Sequence, residues 1–214
     1  MKIICTTTLL PEVPFVGTQI KVRVPWQPGG NLEYGIFSIT MSNAGRIEWG
    51  DGTVSEGTRF SKAVHVYPAP GTYRIRVSEG IRNMVLTFNN ATDDYSVKYG
   101  PAALSFTSND PELPLVGAYG FAGCCNMTDF DVRGTKISRL LTGEWKGCVS
   151  LTGELFFPCV SDITTVDENM PFQGCTGLTK IHLPKAHEAA ITSGAAFQAD
   201  PTLGTGAAEC VFDL

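Results

Sequence analysis

The sequence predicts a mainly β protein in which an antiparallel β-sandwich is followed by a short solenoid of repeats. Three observations lead to this fold class. Apolar and polar residues alternate in short runs across the first third of the chain, as in strands that bury one face. An Asp-Gly pair at 51–52 separates two such runs. Later in the chain, the phrase aromatic-x-Gly-Cys recurs at 121, 145 and 172.

Three runs in the first 80 residues have the alternation of half-buried strands. Residues 20–24 (IKVRV) and 37–41 (FSITM) each alternate apolar and polar side chains. The run at 71–77 (GTYRIRV) includes the last residue of a turn-prone PAPG segment. Together they predict a small antiparallel sandwich. Alternation in the third run places Tyr73, Ile75 and Val77 on the inner face and Arg74 and Arg76 on the outer face.

The Asp51-Gly52 pair predicts a hairpin turn. Ile47 and Trp49 fall on one face of the run before it, and a second run resumes at Thr53. Asp and Gly favour the positive φ angles of tight hairpin turns. Asp51 and Gly52 are therefore predicted to have a structural role.

Two titratable residues of this region have alternative interpretations. Asp51 could be a calcium ligand, but one carboxylate does not make a site, whereas a turn-forming aspartate accepts local N–H groups. His65 could act in catalysis or ligand binding, but spacing pairs it with no acidic residue or cysteine. The structural role is favoured for both.

The segments IEWGDGT at 47–53 and VHVYPAPGTYRIRV at 64–77 resemble the PKD-type immunoglobulin-like domain. The shared features are a Gly-Asp-Gly turn after an aromatic residue, an H-x-Y motif, and a G-x-Y motif that leads into an alternating strand. The match spans residues 1–80, and its WGDG phrase is shorter than that of many members. The resemblance implies an immunoglobulin-like β-sandwich that serves as an extracellular spacer or recognition module.

An aromatic residue opens four similar segments in the second half of the chain. FAGCCNMT begins at Phe121, WKGCVSLT at Trp145, FQGCTGLT at Phe172 and a degenerate FQADPTLG at Phe197. Their spacings of 24, 27 and 25 residues are typical of a leucine-rich solenoid, in which each unit buries its apolar edge by stacking on the next. The four aromatic residues are predicted to form one ladder. A second ladder is predicted from Met127, Leu151, Leu178 and Leu203.

A short strand is predicted after the Leu position of each repeat, at 129–132, 154–157 and 180–183. In the second strand, the inward positions lie one residue further from the Leu position of the repeat than in the other two strands. The predicted inward side chains are Phe130, Val132, Leu155, Phe157, Ile181 and Leu183.

The outward positions of these strands form the candidate binding surface. Because side chains alternate along a strand, residues between two core positions face solvent. The predicted binding residues are Asp129, Asp131, Lys180 and His182.

Cys124, Cys148 and Cys175 occupy the same position in successive repeats, so stacking would place them in one column. Free Cys behaves as a small hydrophobic residue and is often buried. We expect reduced core thiols, because equivalent sites in neighbouring coils seldom have disulfide geometry. The seven cysteines include no Cys-x-x-Cys pair, so no metal site is predicted. The preceding glycines are expected in a tight turn where a Cβ would clash: Gly123, Gly147 and Gly174.

The phrase F-x-G-C-x-x-L-T, followed by a strand and by LP at 183–184, resembles the BspA-like leucine-rich repeats of bacterial surface proteins. The resemblance covers residues 100–214. The segment 81–120 is interpreted as one more diverged coil, so the solenoid is assigned to residues 81–214. Members of that family serve as adhesins or bind host and matrix proteins, and a PKD-like domain beside such repeats fits surface display.

Charge and hydropathy argue against several classes of partner. Charged residues make up 17% of the chain, the net charge is −5 and no long run of one sign occurs, so no nucleic-acid partner is predicted. No apolar run reaches the roughly 18 residues of a membrane span, so no membrane insertion is predicted. The first residues, MKIICTTTLLPEV, lack the features of a signal peptide. No cofactor is predicted.

The leading hypothesis is a non-catalytic recognition or adhesion protein, extracellular or on a bacterial surface, that binds a protein or glycan through the strand-lined face of the solenoid. One alternative is a structural or decoration protein of a phage or prophage tail, located in the virion. Another is a hydrolase, since catalytic triads form from residues distant in sequence, although the chain has no H-E-x-x-H, G-x-S-x-G or Gly-rich phosphate-loop motif. No oligomeric state is predicted.

Overall fold

The computed structural model describes residues 15–24, 36–41, 45–57, 62–78, 84–87, 102–113, 120–140, 144–161, 171–189 and 208–214. These residues form a mainly β protein with mixed sheets and almost no helix. Within these ranges, no helix has both the length and the apolar character needed to cross a membrane. The mainly β class predicted from the sequence is confirmed.

The strands of the described residues are arranged in three sheets. In chain order they are β1 (Gly17–Val24), β2 (Ile36–Met41), β3 (Gly45–Glu48), β4 (Val54–Gly57), β5 (Lys62–Val66), β6 (Gly71–Ser78), β7 (Met84–Thr87), β8 (Ala103–Ser108), β9 (Asp129–Asp131), β10 (Thr152–Phe156), β11 (Gly177–His182) and β12 (Glu209–Val211). The largest sheet has the order β4-β3-β6-β1-β8-β9, in which only β8 and β9 are parallel. The sheet β5-β2-β7 is antiparallel, and the sheet β10-β11-β12 is parallel.

The strands predicted at 20–24, 37–41 and 71–77 are present as β1, β2 and β6. β1 and β6 pair along their whole lengths, with Ile20 opposite Ile75. Both side chains are buried, because alternation directs them to the inner face of the sheet.

The Asp-Gly hairpin joins β3 and β4. Glu48 pairs with Val54, which leaves residues 49–53 as the loop. The glycines on either side of the aspartate, Gly50 and Gly52, have φ angles of +88° and +91°. Both angles lie in the region that favours glycine, so the loop uses two glycines and is longer than a two-residue turn.

Strands from both sides of residue 80 share sheets. β7 pairs with β2, and β8 pairs antiparallel with β1. Across the β1–β8 contact, Thr18 Oγ1 and Ser108 Oγ lie 2.9 Å apart, and the Gly17 N–H donates to Asn109 Oδ1 at 2.9 Å. β8 also pairs in parallel with β9, which follows the first Gly-Cys turn. The largest sheet therefore continues from the N-terminal strands into the repeats.

β8 is the strand of the segment interpreted as a diverged coil. Phe106 of β8 lies opposite Phe130 of β9 in the parallel register, and their rings stack with centroids 5.5 Å apart. The sequence gives this segment no Gly-Cys phrase, so the strand becomes recognisable only from its pairing.

The three Gly-Cys repeats have the same backbone turn. In each, the Cys N–H donates to the carbonyl oxygen of the aromatic residue, and the Leu or Met N–H donates to the Cys carbonyl oxygen, at 2.9–3.2 Å. The glycine before each cysteine has a positive φ: 69° at Gly123, 78° at Gly147 and 79° at Gly174. A Cβ on Gly147 would lie 3.7 Å from the Gly123 Cα, an ordinary contact. A Cβ on Gly174 would likewise lie 3.6 Å from the Gly147 Cα, so the expectation of a clash is wrong at these two positions, where the positive φ is what favours glycine.

Phe121, Trp145 and Phe172 are buried and form a stacked column. The ring centroids of Phe121 and Trp145 lie 5.9 Å apart and those of Trp145 and Phe172 lie 4.9 Å apart, with interplanar angles of 17° in both pairs. The rings stack in the order that the repeat spacing predicts. In the second ladder Met127, Leu151 and Leu178 are buried. The fourth members of the two ladders, Phe197 and Leu203, lie outside the described residues.

The parallel sheet carries the inward side chains that alternation predicts. Leu155 lies opposite Ile181, which lies opposite Cys210. The register between β10 and β11 shifts between Gly153 and Glu154, where Thr179 of β11 is the extra residue. β12 is an edge strand of this sheet, and the sequence did not predict it.

Candidate binding surface

The outer faces of β10, β11 and β12 place charged side chains in one row. Lys180 lies between Glu154 and Glu209 in the sheet register. Lys180 Nζ is 3.4 Å from Glu154 Oε1, and both side chains are 41% exposed. A hydrogen bond from His182 and the charge of Lys180 lower the pKa of Glu154. Because neighbouring parallel strands are about 4.8 Å apart, one ligand can contact the whole row.

Phe156 forms the centre of the next row. Its ring stacks on the imidazole of His182, with centroids 4.1 Å apart and an interplanar angle of 10°. The guanidinium carbon of Arg133 lies over the ring of Phe156, 5.4 Å from the ring centroid. Arg133 is itself held by Asp131, with nitrogen–oxygen distances of 2.9 and 2.6 Å. The half-buried ring therefore contacts the imidazole of His182 and the guanidinium of Arg133 on the outer face.

The prediction that His182 is exposed to solvent is wrong. Its side chain is only 8% exposed, although alternation places it on the outer side of β11. Nε2 lies 3.1 Å from Glu154 Oε2 and Nδ1 lies 2.9 Å from Asp213 Oδ1. These carboxylates and the ring of Phe156 cover the imidazole, so His182 positions its neighbours rather than presenting itself to a ligand.

The other predicted binding residues remain accessible. Asp129 is exposed, and Lys180 and Asp131 are partly exposed. The hydrogen bond and charge of Arg133 lower the pKa of Asp131, so this carboxyl is ionised at neutral pH. Asp131 and Arg133 also reach an open cleft of about 190 Å³ at the contact of β1, β8 and β9. The cleft is lined by Gly17, Gln19, Thr107, Ser108, Asn109, Asp131, Arg133 and Gly134.

Sequence reasoning missed several members of this surface. Phe156 was not expected to be a central outer-face residue, and Arg133 follows the predicted strand by one position. The inward positions of Leu155 and Phe157 could have indicated Phe156, because alternation then places Phe156 on the outer face. Asp213 lies in the C-terminal segment, where no repeat pattern indicates a partner for His182.

A second polar cluster surrounds the hairpin turn of the N-terminal strands. Asp51 Oδ1 accepts hydrogen bonds from the Thr53 N–H at 3.0 Å and from the Thr53 hydroxyl at 2.6 Å. Asp51 Oδ2 lies 2.8 Å from His65 Nε2. The imidazole stacks on Trp49 with centroids 4.8 Å apart and meets the edge of Tyr67 at 4.6 Å.

This geometry gives Asp51 and His65 a structural role. Burial alone would raise the pKa of Asp51, but the hydrogen bonds from Thr53 and His65 lower it. The Thr53 hydroxyl donates to the carboxylate rather than to the imidazole, so this cluster lacks the hydroxyl–imidazole contact of a nucleophilic site. Asp51 thus links the loop to β5 through His65. The sequence could not indicate this contact, because 14 residues separate Asp51 from His65.

The column of cysteines is buried and contains no disulfide. Cys124, Cys148 and Cys175 are free thiols with no measurable exposure. A hydrogen bond with Cys124, together with burial, raises the pKa of Cys148 well above its ordinary value, against an opposite effect of Cys175. The protonated thiol is a poor nucleophile and a poor metal ligand. Among the described residues, no group of three or more His, Cys, Asp or Glu side chains is arranged to hold a metal ion.

Comparisons of the chain with protein-family models, with curated proteins and with solved structures find no match.

Proposed function

We propose that this chain is a non-catalytic recognition protein of a bacterial surface, extracellular in location, that binds a protein or glycan through the outer face of β9 to β12. The observation that carries this proposal is the arrangement around Phe156. A partly accessible aromatic ring lies beside an arginine and between rows of charged side chains. Aromatic and arginine side chains dominate the binding energy of many recognition surfaces.

The proposal includes a specific architecture for each half of the chain. We interpret the parallel strands and the stacked columns as coils of a BspA-like leucine-rich-repeat solenoid. We interpret the antiparallel sheets before them as a PKD-like, immunoglobulin-like β-sandwich. The equal turns at Cys124, Cys148 and Cys175 support the first interpretation, and the burial of Ile20, Ile75 and Trp49 supports the second.

The proposal is tested by binding of the full chain to an array of glycans and to purified matrix proteins. We expect at least one specific ligand, and we expect Phe156→Ala to weaken its binding at least tenfold. Lys180→Gln is a second variant, because it changes an exposed side chain and leaves the aromatic packing intact. No binding to any probe at high concentration would contradict the proposal.

The matched control is Val149→Ala. Val149 is 50% exposed and belongs to the Gly-Cys turn of the same repeat as Phe156, outside strand β10. We expect it to bind like the unchanged protein. Equal losses in Phe156→Ala and Val149→Ala would show that the strand face is not the binding surface.

The second candidate is a structural component of a phage or prophage tail, in which the chain acts as an assembly part. Exposed valines on two edge strands favour it: Val54 of β4 is 43% exposed, and Val64 and Val66 of β5 are 52% and 54% exposed. Edge strands with apolar side chains are common contact sites between subunits. Light scattering of the purified chain tests this candidate. A monomer at all concentrations would contradict self-assembly through these edge strands.

A further inference from the structure

Four cations lie together on the outer face of the β1–β6 pair, although they come from distant parts of the sequence. Lys21 and Arg74 are directly opposite each other. Arg23 and Arg76 lie two residues further along their own strands, and side chains two apart on a strand share a face. Because the strands are antiparallel, the charges follow the strand direction in the order Arg23, the Lys21–Arg74 pair, then Arg76. We name these four residues the basic face.

Repulsion within the basic face lowers the stability of the folded protein. Like charges directly opposite each other in an antiparallel pair are destabilising. Within the described part of the chain, no carboxylate forms an ion pair with any of the four cations. Arg76 instead lies over the ring of Phe15, 5.4 Å from its centroid. The net charge of the chain is −5, so this positive cluster does not follow from a basic composition.

Carboxylates border the basic face on both sides, and two of them are paired with arginines: Glu48 with Arg46, and Asp131 with Arg133. Glu48 of β3 lies opposite Arg76 on one side. On the other side, β8 first adds two hydroxyl groups, and β9 then adds carboxylates. In sheet order these residues are Ser105 and Thr107, followed by Asp129 and Asp131. The positive region is therefore narrow across the strands and elongated along them.

We propose that the basic face binds a linear acidic polysaccharide, with carboxylate or sulfate groups on its sugars, that lies along the strands. Arginine and lysine bind such oxyanions through charge-assisted hydrogen bonds. Gln19 and Thr72, which lie opposite Arg76 and Arg23, can hydrogen-bond sugar hydroxyls from the same face. This site lies on β1 and β6, with β8 between it and β9, and it does not depend on the function proposed for the outer face of β9 to β12.

Other anionic partners fit this surface less well. A nucleic-acid duplex is wider than the basic face, so its outer phosphates would lie over the neutralised Glu48–Arg46 and Asp131–Arg133 pairs and gain no free cation. Single-stranded nucleic acid requires aromatic stacking platforms, and the ring of Phe15 already contacts Arg76. An acidic peptide cannot add a strand here, because β1 and β6 have hydrogen-bonded neighbours on both sides.

The test measures binding of the full chain to polygalacturonate, to heparin and to uncharged dextran by titration calorimetry. We expect at least one acidic polymer to bind, dextran not to bind, and the dissociation constant to rise with salt. The double variant Lys21→Gln, Arg74→Gln should weaken this binding at least tenfold, which corresponds to about 1.4 kcal/mol. Its melting temperature should not fall, since the change removes a repulsive pair.

Two controls make the outcomes distinct. The double variant Lys136→Gln, Lys185→Gln makes the same charge change at exposed cations elsewhere, and it should bind within twofold of the unchanged chain. Phe156→Ala should also retain acidic polysaccharide binding, which separates this site from the repeat surface. Equal losses in the two double variants, no binding to either acidic polymer, or tighter binding to duplex DNA or to anionic lipid vesicles would overturn the proposal.

Discussion

The Cys175 thiol donates a hydrogen bond to the backbone carbonyl oxygen of Trp145, with sulfur and oxygen 3.0 Å apart. Cys148 makes the equivalent bond to the carbonyl oxygen of Phe121 at 3.2 Å. Each of these cysteines thus contacts the aromatic residue of the preceding repeat. The column of thiols and the column of rings therefore stabilise the same stacking of repeats.

Removing one thiol from the column should destabilise the protein. Cys175→Ala removes a buried sulfur and its hydrogen bond, so we expect the free energy of unfolding to fall by about 1 to 2 kcal/mol. Cys159→Ala is the control, because Cys159 is exposed and its loss should change stability by less than about 0.5 kcal/mol. Urea denaturation of both variants checks the difference, and equal stabilities would contradict the packing described for Cys175.

The thiols should differ in reactivity according to burial. We expect iodoacetamide at neutral pH to label Cys159 rapidly in the native protein and to label Cys124, Cys148 and Cys175 only after unfolding. The raised pKa of Cys148 acts in the same direction, because it keeps the thiol protonated. Peptide mass spectrometry after timed labelling measures the rates. Rapid native labelling of Cys148 would show that the repeats do not bury it.

Two glycines of the hairpin loop provide a matched pair of substitutions. Gly50 and Gly52 have similar positive φ angles, but a Cβ on Gly50 would lie 2.6 Å from the Arg74 carbonyl oxygen, whereas one on Gly52 would meet nothing within 4 Å. Gly52→Ala should cost about 1 kcal/mol from backbone strain alone. Gly50→Ala should cost about 2 kcal/mol more, because the backbone of β6 must move. Thermal unfolding measures both, and equal effects would contradict the close approach of the loop to β6.

The hydrogen bonds of Asp51 should make part of the stability depend on pH. The pKa of Asp51 is lower in the folded protein than its ordinary value of 3.8, so the unfolded chain takes up this proton first as the pH falls. The stabilisation is therefore complete well above pH 4 and is lost as the pH falls through the folded pKa. Asp51→Asn should lower the free energy of unfolding at pH 7, and the difference from the unchanged protein should shrink at pH 3.

The control for this pH effect is Asp129→Asn, which changes an exposed carboxylate on the outer face of β9. Its effect on stability should be small at both pH values. An Asp51→Asn penalty that is as large at pH 3 as at pH 7 would mean that shape, rather than charge, is what Asp51 contributes.

Local patterns in the sequence predicted the elements whose stability is local. Alternation located β1, β2 and β6, and the Asp-Gly pair located the β3–β4 hairpin, because period and turn chemistry depend on neighbouring residues. The repeat spacing also predicted the stacking of Phe121, Trp145 and Phe172, since equivalent positions in stacked units must meet.

Features that depend on pairing between distant segments were not predictable from one sequence. The basic face is hidden because Lys21 and Arg74 lie in separate runs in which cations alternate with apolar residues, and the charge accumulates only when β1 pairs with β6. The burial of His182 was missed for the same reason, since Asp213 covers it from a segment without a repeat pattern.

The most direct test of the stacked repeats is a two-dimensional nuclear Overhauser spectrum that resolves the indole protons of Trp145. Assignment rests on the signals that disappear in Trp145→Phe. We expect cross-peaks from the Trp145 indole to the ring protons of both Phe121 and Phe172, because the three rings are consecutive in one column. The absence of cross-peaks to either phenylalanine would contradict the stacking on which the proposed recognition surface of the repeats depends.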